Sequence, residues 1–126
     1  MNRSFISTNS APGAIGPYSQ AVKVGTTTYL SGQIALDPKS MKLKNQNILE
    51  EATQVFHNLE EVCKASGGSL SQLVRITIYL VNMEDFPEVN KVMEEIFVSP
   101  FPARVTVGVA ALPRAAKVEV DGVLVV

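Results

Sequence analysis

Residues 47–68, NILEEATQVFHNLEEVCKASGG, and residues 73–81, LVRITIYLV, switch the hydrophobic period of the chain from about 3.6 to about 2 across one short connection. In the first stretch Ile48, Ala52, Val55, Phe56, Leu59, Val62 and Cys63 recur at helical spacing. Asn47 followed by Glu50 reads as a capping-box-like start, and Gly67-Gly68 as the stop. A helix from Ile48 to Ser66 would be about 28 Å long, enough to cross a sheet. His57 falls on the Gln- and Glu-rich side, where a solvated surface is its expected setting. Cys63 falls in the apolar stripe, so it reads as a small core side chain and not as a nucleophile. In the second stretch Val74, Ile76, Ile78 and Leu80 point one way and Arg75, Thr77 and Tyr79 the other, as in a strand with one buried face.

Working outward, a second amphipathic helix is expected from Asp85, with Pro87 in its first turn, Glu88 as capping partner, and Phe86, Val89, Val92, Met93, Ile96 and Phe97 on its apolar side. Asn90 looks like an exposed, mildly unfavourable position in it. Residues 20–24 and 28–34 flank Gly25-Thr26-Thr27 and read as a hairpin. Near the end, Val105, Val107 and Val109 alternate with Arg104, Thr106 and Gly108. Val118 and Val120 alternate with Lys117, Glu119 and Asp121, until Gly122 interrupts the pattern as a bulge would.

The resulting order of strands, helix, strand, helix, strands predicts an α+β fold, with about six strands in a mixed sheet and both helices on one face. At 126 residues and 46% hydrophobic content the whole chain, 1–126, is expected to be one domain with a substantial core. Eleven Lys and Arg against twelve Asp and Glu leave a net charge of −1, which gives no electrostatic footprint for nucleic acid or anionic membrane. The first 16 residues contain no apolar export segment, and no run is long and apolar enough to span a bilayer, so a cytoplasmic location is expected. One Cys and one His supply neither an internal disulfide nor an ordinary zinc site.

Two helices cannot cover both faces of a sheet. If the apolar strand sides meet the helices, the other face carries Tyr29, Ser31, Gln33, Thr77, Tyr79, Arg104, Thr106 and Glu119. That mixture is too apolar for open solvent, and contact with sister subunits is the expected cover. Alternation would then place Arg104 and Glu119 on the same face. Arg104 is delivered to its strand by Pro100 and Pro102, which fix the backbone leading into it. A guanidinium held in this way suits a carboxylate or phosphate, although from the segment alone an ion pair with a surface acid is the favoured reading, since structural ion pairs are common. Arg104 and Glu119 could neutralise each other, or divide a substrate between them, one holding an anionic group and the other a water.

No phosphate-binding glycine loop, His-Glu-x-x-His or Gly-x-Ser-x-Gly occurs. The remaining unusual segment is Gly13 to Ala21, in which Pro17 stiffens the approach to Tyr18. Taken together, Gly16-Pro17-Tyr18-Ser19-Gln20-Ala21, Ser31-Gly32-Gln33, the Gln54 to Leu59 helix segment, Val89-Asn90, Pro102-Ala103-Arg104 and Val118-Glu119-Val120 resemble, in order and over nearly the whole chain, the Rid (YjgF-type) proteins. The resemblance implies a chorismate-mutase-like subunit, a homotrimer around a central barrel, and three clefts between subunits.

It further implies a 2-iminobutanoate/2-iminopropanoate deaminase that needs no cofactor or metal and protects pyridoxal-phosphate enzymes from reactive enamines and imines. Arg104 would bind the carboxylate of the 2-imino acid, Glu119 would hold the attacking water, and Tyr18 would complete the catalytic set as an aromatic wall or hydroxyl. Gly32, Asn90, Ser31 and Thr106 correspond to further substrate-binding positions; some deaminases have cysteine in place of Thr106. Two other functions are left open: a metabolite-binding or regulatory module using the same clefts without turnover, and an endoribonuclease or translation inhibitor, which the near-zero charge disfavours.

Overall fold

The computed structural model describes residues 2–126. Its strands are β1 (Arg3–Ile6), β2 (Ala21–Val24), β3 (Thr27–Gln33), β4 (Leu73–Leu80), β5 (Ala103–Gly108) and β6 (Val118–Val125), and its α-helices are α1 (Ile48–Ala65) and α2 (Phe86–Ile96). They form one six-stranded sheet in the order β1-β2-β3-β6-β4-β5. All pairings are antiparallel except β4 with β5, so the sheet is mixed, as expected. The β2–β3 hairpin closes at Gly25, whose φ of 62° is one that glycine adopts freely. β1 lies in a segment for which the sequence predicts no strand. Only four residues long and mostly exposed, it has too little alternation to announce itself.

Helix α1 starts where its cap predicts: the Asn47 side chain accepts from the Glu50 N–H at 2.8 Å. It packs on β3, β6 and α2, burying Ala52, Val55, Phe56, Leu59, Val62 and Cys63 completely. Full burial of each large apolar side chain contributes about 1.5–3 kcal/mol relative to exposure. Phe56 meets Phe97 edge-on, with ring centroids 5.6 Å apart, which ties the end of α2 to α1. His57 is exposed, as its position predicted. The expected cap of α2 is not made: Asp85 is already in helical conformation, closing a 3-10 turn begun at Asn82, and the Asn82 side chain takes the Glu84 N–H.

Three details of the strands depart from simple alternation. In β4 the register against β6 shifts between Leu73 and Arg75, so Leu73 is buried while Val74, expected in the core, is 48% exposed. An extra residue in one strand of an antiparallel pair turns its neighbours over. In β3 a similar shift between Leu30 and Gln33 puts Gln33, expected on the open face, opposite Val120 and buries it. Gly122, by contrast, stays in register and is no bulge. Its lack of a side chain matches close packing, since a Cβ there would lie 3.0 Å from Leu73 Cδ2 and 3.1 Å from the Arg75 carbonyl.

Candidate functional site

The third departure concerns β5. Its parallel register sets Arg104 beside Ile76 and Thr106 beside Ile78, both of which are buried under the helices. Val105 and Val107 instead lie beside Thr77 and Tyr79 and are 40% and 38% exposed. Glu119 pairs with Tyr79. Arg104 and Glu119 are therefore on opposite faces of the sheet, contrary to the expectation that they share one. The expectation assumed that the apolar side of β5 faces the helices. Alternation states which residues share a face, not which face is covered.

On the helix side, Arg104 reaches α2. Its Nη1 donates to Asn90 Oδ1 at 2.5 Å and approaches Met93 Sδ at 3.5 Å, and its Cζ lies 5.0 Å from the centroid of the Phe86 ring. Such a cation–π contact contributes about 0.5–1 kcal/mol at an exposed site and holds the guanidinium plane. Both hydrogen bonds use Nη1, so the rest of the fork is directed at no acceptor among the described residues. The ion pairs of the described residues join Lys44 to Asp37 and Lys64 to Glu60 and Glu61, and none includes Arg104. The surface ion pair that the segment alone allowed is thus absent there. Asn90, Met93, Glu94, Phe101, Pro102 and Arg104 line a hollow of about 470 Å³. Thr106 is two residues further along the same face, with its Oγ1 buried and unpartnered, and is not among the residues that line this hollow. Asn90 is half-buried and engaged, not the idle surface residue that helix propensity predicts.

A second hollow of about 350 Å³ opens beside Glu119, with Tyr18, Ser31, Gly32, Ile34 and Pro113 in its lining. The β3 bulge brings Gly32 against the carboxylate: a Cβ on Gly32 would lie only 2.9 Å from Glu119 Cδ. Ser31 Oγ donates to the Ser19 carbonyl at 2.6 Å, and the Tyr18 N–H donates to the Gly16 carbonyl at 2.9 Å, which fixes the turn that presents Tyr18. Gln20, which is buried, accepts from the Thr8 N–H at 2.7 Å and donates to the Pro12 carbonyl at 2.8 Å, holding the wall at Pro12 and Gly13. Gln20 stands in the Gly16 to Ala21 motif that carries the resemblance, but nothing in that motif assigns it this bracing role, because its partners are backbone groups 12 and 8 residues away.

Burial, and secondarily the negative charge of Asp121, push the Glu119 carboxyl above its usual pKa. Asp121 in turn accepts from the Tyr79 hydroxyl at 3.0 Å. The arrangement supplies a fixed cation for an anion on one face and a partly desolvated carboxylate able to hold a water on the other. Among the described residues no group of three or more His, Cys, Asp or Glu is placed to hold a metal ion, and no helix is long and apolar enough to cross a membrane.

Residues 8–126 match the family model described as Endoribonuclease L-PSP. The chain belongs to that family. The Endoribonuclease L-PSP match bears out the resemblance to Rid (YjgF-type) proteins. The chain is 50% identical, over 122 residues covering 97% of it and 95% of the relative, to a 2-iminobutanoate/2-iminopropanoate deaminase of Dermatophagoides farinae. It is 46% identical to the Homo sapiens protein of the same name, over 98% of this chain and 90% of that one. A crystal structure of RidA from an Antarctic Psychrobacter superposes with a TM-score of 0.95 at 43% identity, covering 98% of this chain and 99% of the other.

Proposed function

We propose that this member of the Endoribonuclease L-PSP family hydrolyses 2-imino acids such as 2-iminobutanoate and 2-iminopropanoate to 2-oxo acids and ammonia, without a cofactor. The observation that carries the proposal is the pair of half-sites: an Arg104 fork with no carboxylate partner among the described residues on one face and a semi-buried Glu119 on the other. Neither half suffices alone. The exposed Val105, Val107 and Tyr29 support an assembly in which the open sheet face is covered by sister chains. In a homotrimer, each of three clefts would join the Arg104 hollow of one subunit to the Glu119 hollow of the next.

In such a cleft Arg104 binds the substrate carboxylate bidentately, with Asn90 and Phe86 holding the guanidinium. Glu119 orients a water against the iminium carbon, takes a proton as the C–O bond forms, and returns it to nitrogen. As the tetrahedral adduct expels ammonia, its hydroxyl proton passes by way of Glu119 to the departing nitrogen and the carbonyl forms, so iminium plus water gives 2-oxo acid plus ammonium. Gly32 leaves room for the carboxylate. Tyr18 walls the cleft or donates through its hydroxyl, and Ser31 completes its lining. The substrate is already electrophilic, so positioning and one placed water are the main contributions required of the protein. The cellular role is to remove imines released by pyridoxal-phosphate dehydratases, in the cytoplasm, with the chain acting as a single domain.

The test is a coupled assay in which a threonine dehydratase generates 2-iminobutanoate and release of 2-oxobutanoate is followed with wild type and with Arg104→Ala. Acceleration by wild type and none by the variant is expected. Equal rates would overturn the reading. Tight 2-oxo acid binding without ammonia release would replace it with a metabolite-binding role.

A further inference from the structure

Helix α1 has an apolar inner face interrupted by two polar side chains, Glu51 and Asn58, both fully buried. Seven residues apart, they lie two turns from one another on the same side of the helix. Neither is spent on its own helix's backbone. Glu51 Oε2 accepts from the N–H groups of Lys117 at 2.6 Å and Val118 at 3.3 Å, where β6 begins. Asn58 Nδ2 donates to the carbonyls of Ile34 at 3.2 Å and Leu36 at 2.9 Å, and its Oδ1 accepts from Gln54 Nε2 at 2.8 Å.

Both sets of contacts end at the Glu119 hollow. Ile34 and Leu36 line one side of it, and Lys117 and Val118 lead directly into Glu119. The approach to β6 is a tight turn at Pro113–Ala115, closed by the Ala116 N–H donating to the Pro113 carbonyl at 3.1 Å. Arg114 and Ala115 have φ values of 57° and 58°, a conformation that non-glycine residues adopt only at a cost. The two Glu51 bonds fasten the chain immediately after this turn.

We propose that Glu51 is a positioning residue for the reaction, fixing the start of β6 and thereby the Glu119 carboxylate against Gly32, while Asn58 fixes the facing wall. The inference rests on the hydrolytic reading of the same site. Glu51 acts only on the half that holds the water. Its loss therefore reduces turnover and leaves carboxylate binding at Arg104 largely intact.

The test compares Glu51→Gln, which keeps a carbonyl acceptor, with Glu51→Met, which keeps length without one, and with Glu51→Asp, which stays polar but withdraws the acceptor by one methylene. The expected result is a fall in kcat of about 10–100-fold for Met and Asp with KM within about 2-fold, and near wild-type kcat for Gln. Should Met not fold, Asp carries the comparison. The second readout needs no substrate: the Gly32 amide resonance, beside the Glu119 carboxylate, should move in Met or Asp and not in Gln. An unmoved Gly32 resonance in a folded Met or Asp variant overturns the proposal, as does a loss of kcat that merely tracks the folded fraction. If wild type hydrolyses no imine, the functional reading fails while the Gly32 resonance still decides the role of Glu51.

Discussion

Gly32 and Glu119 share a space that admits only one side chain: a Cβ on Gly32 would overlap Glu119 Oε2 and lie 3.2 Å from Cγ. The obstacle is the end of a flexible side chain and not backbone, so the conflict can be relieved by rotating the carboxylate away.

Gly32→Ala should therefore keep its fold and lose its chemistry. Unfolding free energy is expected within about 1 kcal/mol of wild type. Because the carboxylate is displaced from its working position, kcat should fall by about 100-fold. Thermal melts beside the coupled imine assay check this; a lowered melting point with unchanged kcat would contradict it.

The opposed faces of Arg104 and Glu119 give a mixing experiment. Arg104→Ala and Glu119→Gln should each be inactive. When the two are unfolded and refolded together in equal amounts, about one quarter of the clefts between subunits would carry both native residues, restoring about a quarter of the activity. If both residues of one chain served the same cleft, the mixture would stay inactive.

Burial first and Asp121 second raise the pKa of Glu119, so its ionised form is disfavoured in the folded protein. Imine hydrolysis should accordingly fall with decreasing pH through a value above the usual glutamate range. Asp121→Asn should move that limb to lower pH, but only part of the way, since burial remains. For stability the sign reverses: the contribution of Glu119 is present below the unfolded pKa of about 4.3 and lost as pH rises through the raised value. Glu119→Gln should gain stability relative to wild type between acid and neutral pH, measured by denaturant unfolding at both.

Cys63 is fully buried, and desolvation, with a smaller effect from the charge of Glu60, pushes its thiol up to about 12. In the native protein it should resist an aromatic disulfide reagent at neutral pH and react fully once denaturant unfolds the chain. Rapid stoichiometric labelling of native protein would contradict this.

Both helices were legible in the sequence because their apolar spacing is long and regular, and Arg104, Glu119, Tyr18, Gly32 and Asn90 all line one or other hollow. Thr106 lines neither. The side of the sheet on which Arg104 falls was not legible. Val105 and Val107 are as apolar as core residues, and only the register with β4 reveals that they face outward. Glu51 and Asn58 were hidden for a similar reason. Their partners are backbone groups 66 and 24 residues away, and nothing local separates them from the solvated Glu50 and His57. The bulges at Val74 and Ser31-Gly32 escaped because one extra residue leaves the strand composition unchanged.

The extra residue in β3 has a consequence for how this protein can vary. Replacing the Ser31 side chain alters one contact, but deleting either Ser31 or Gly32 would remove the offset between Leu30 and Gln33. Every position before it would then slide against β6 relative to every position after it, and Tyr18 and Glu119 would be carried apart by the hairpin itself. Between Tyr29 and Gln33, length is a stricter requirement than composition, and mutational libraries should tolerate substitutions there far better than single-codon deletions.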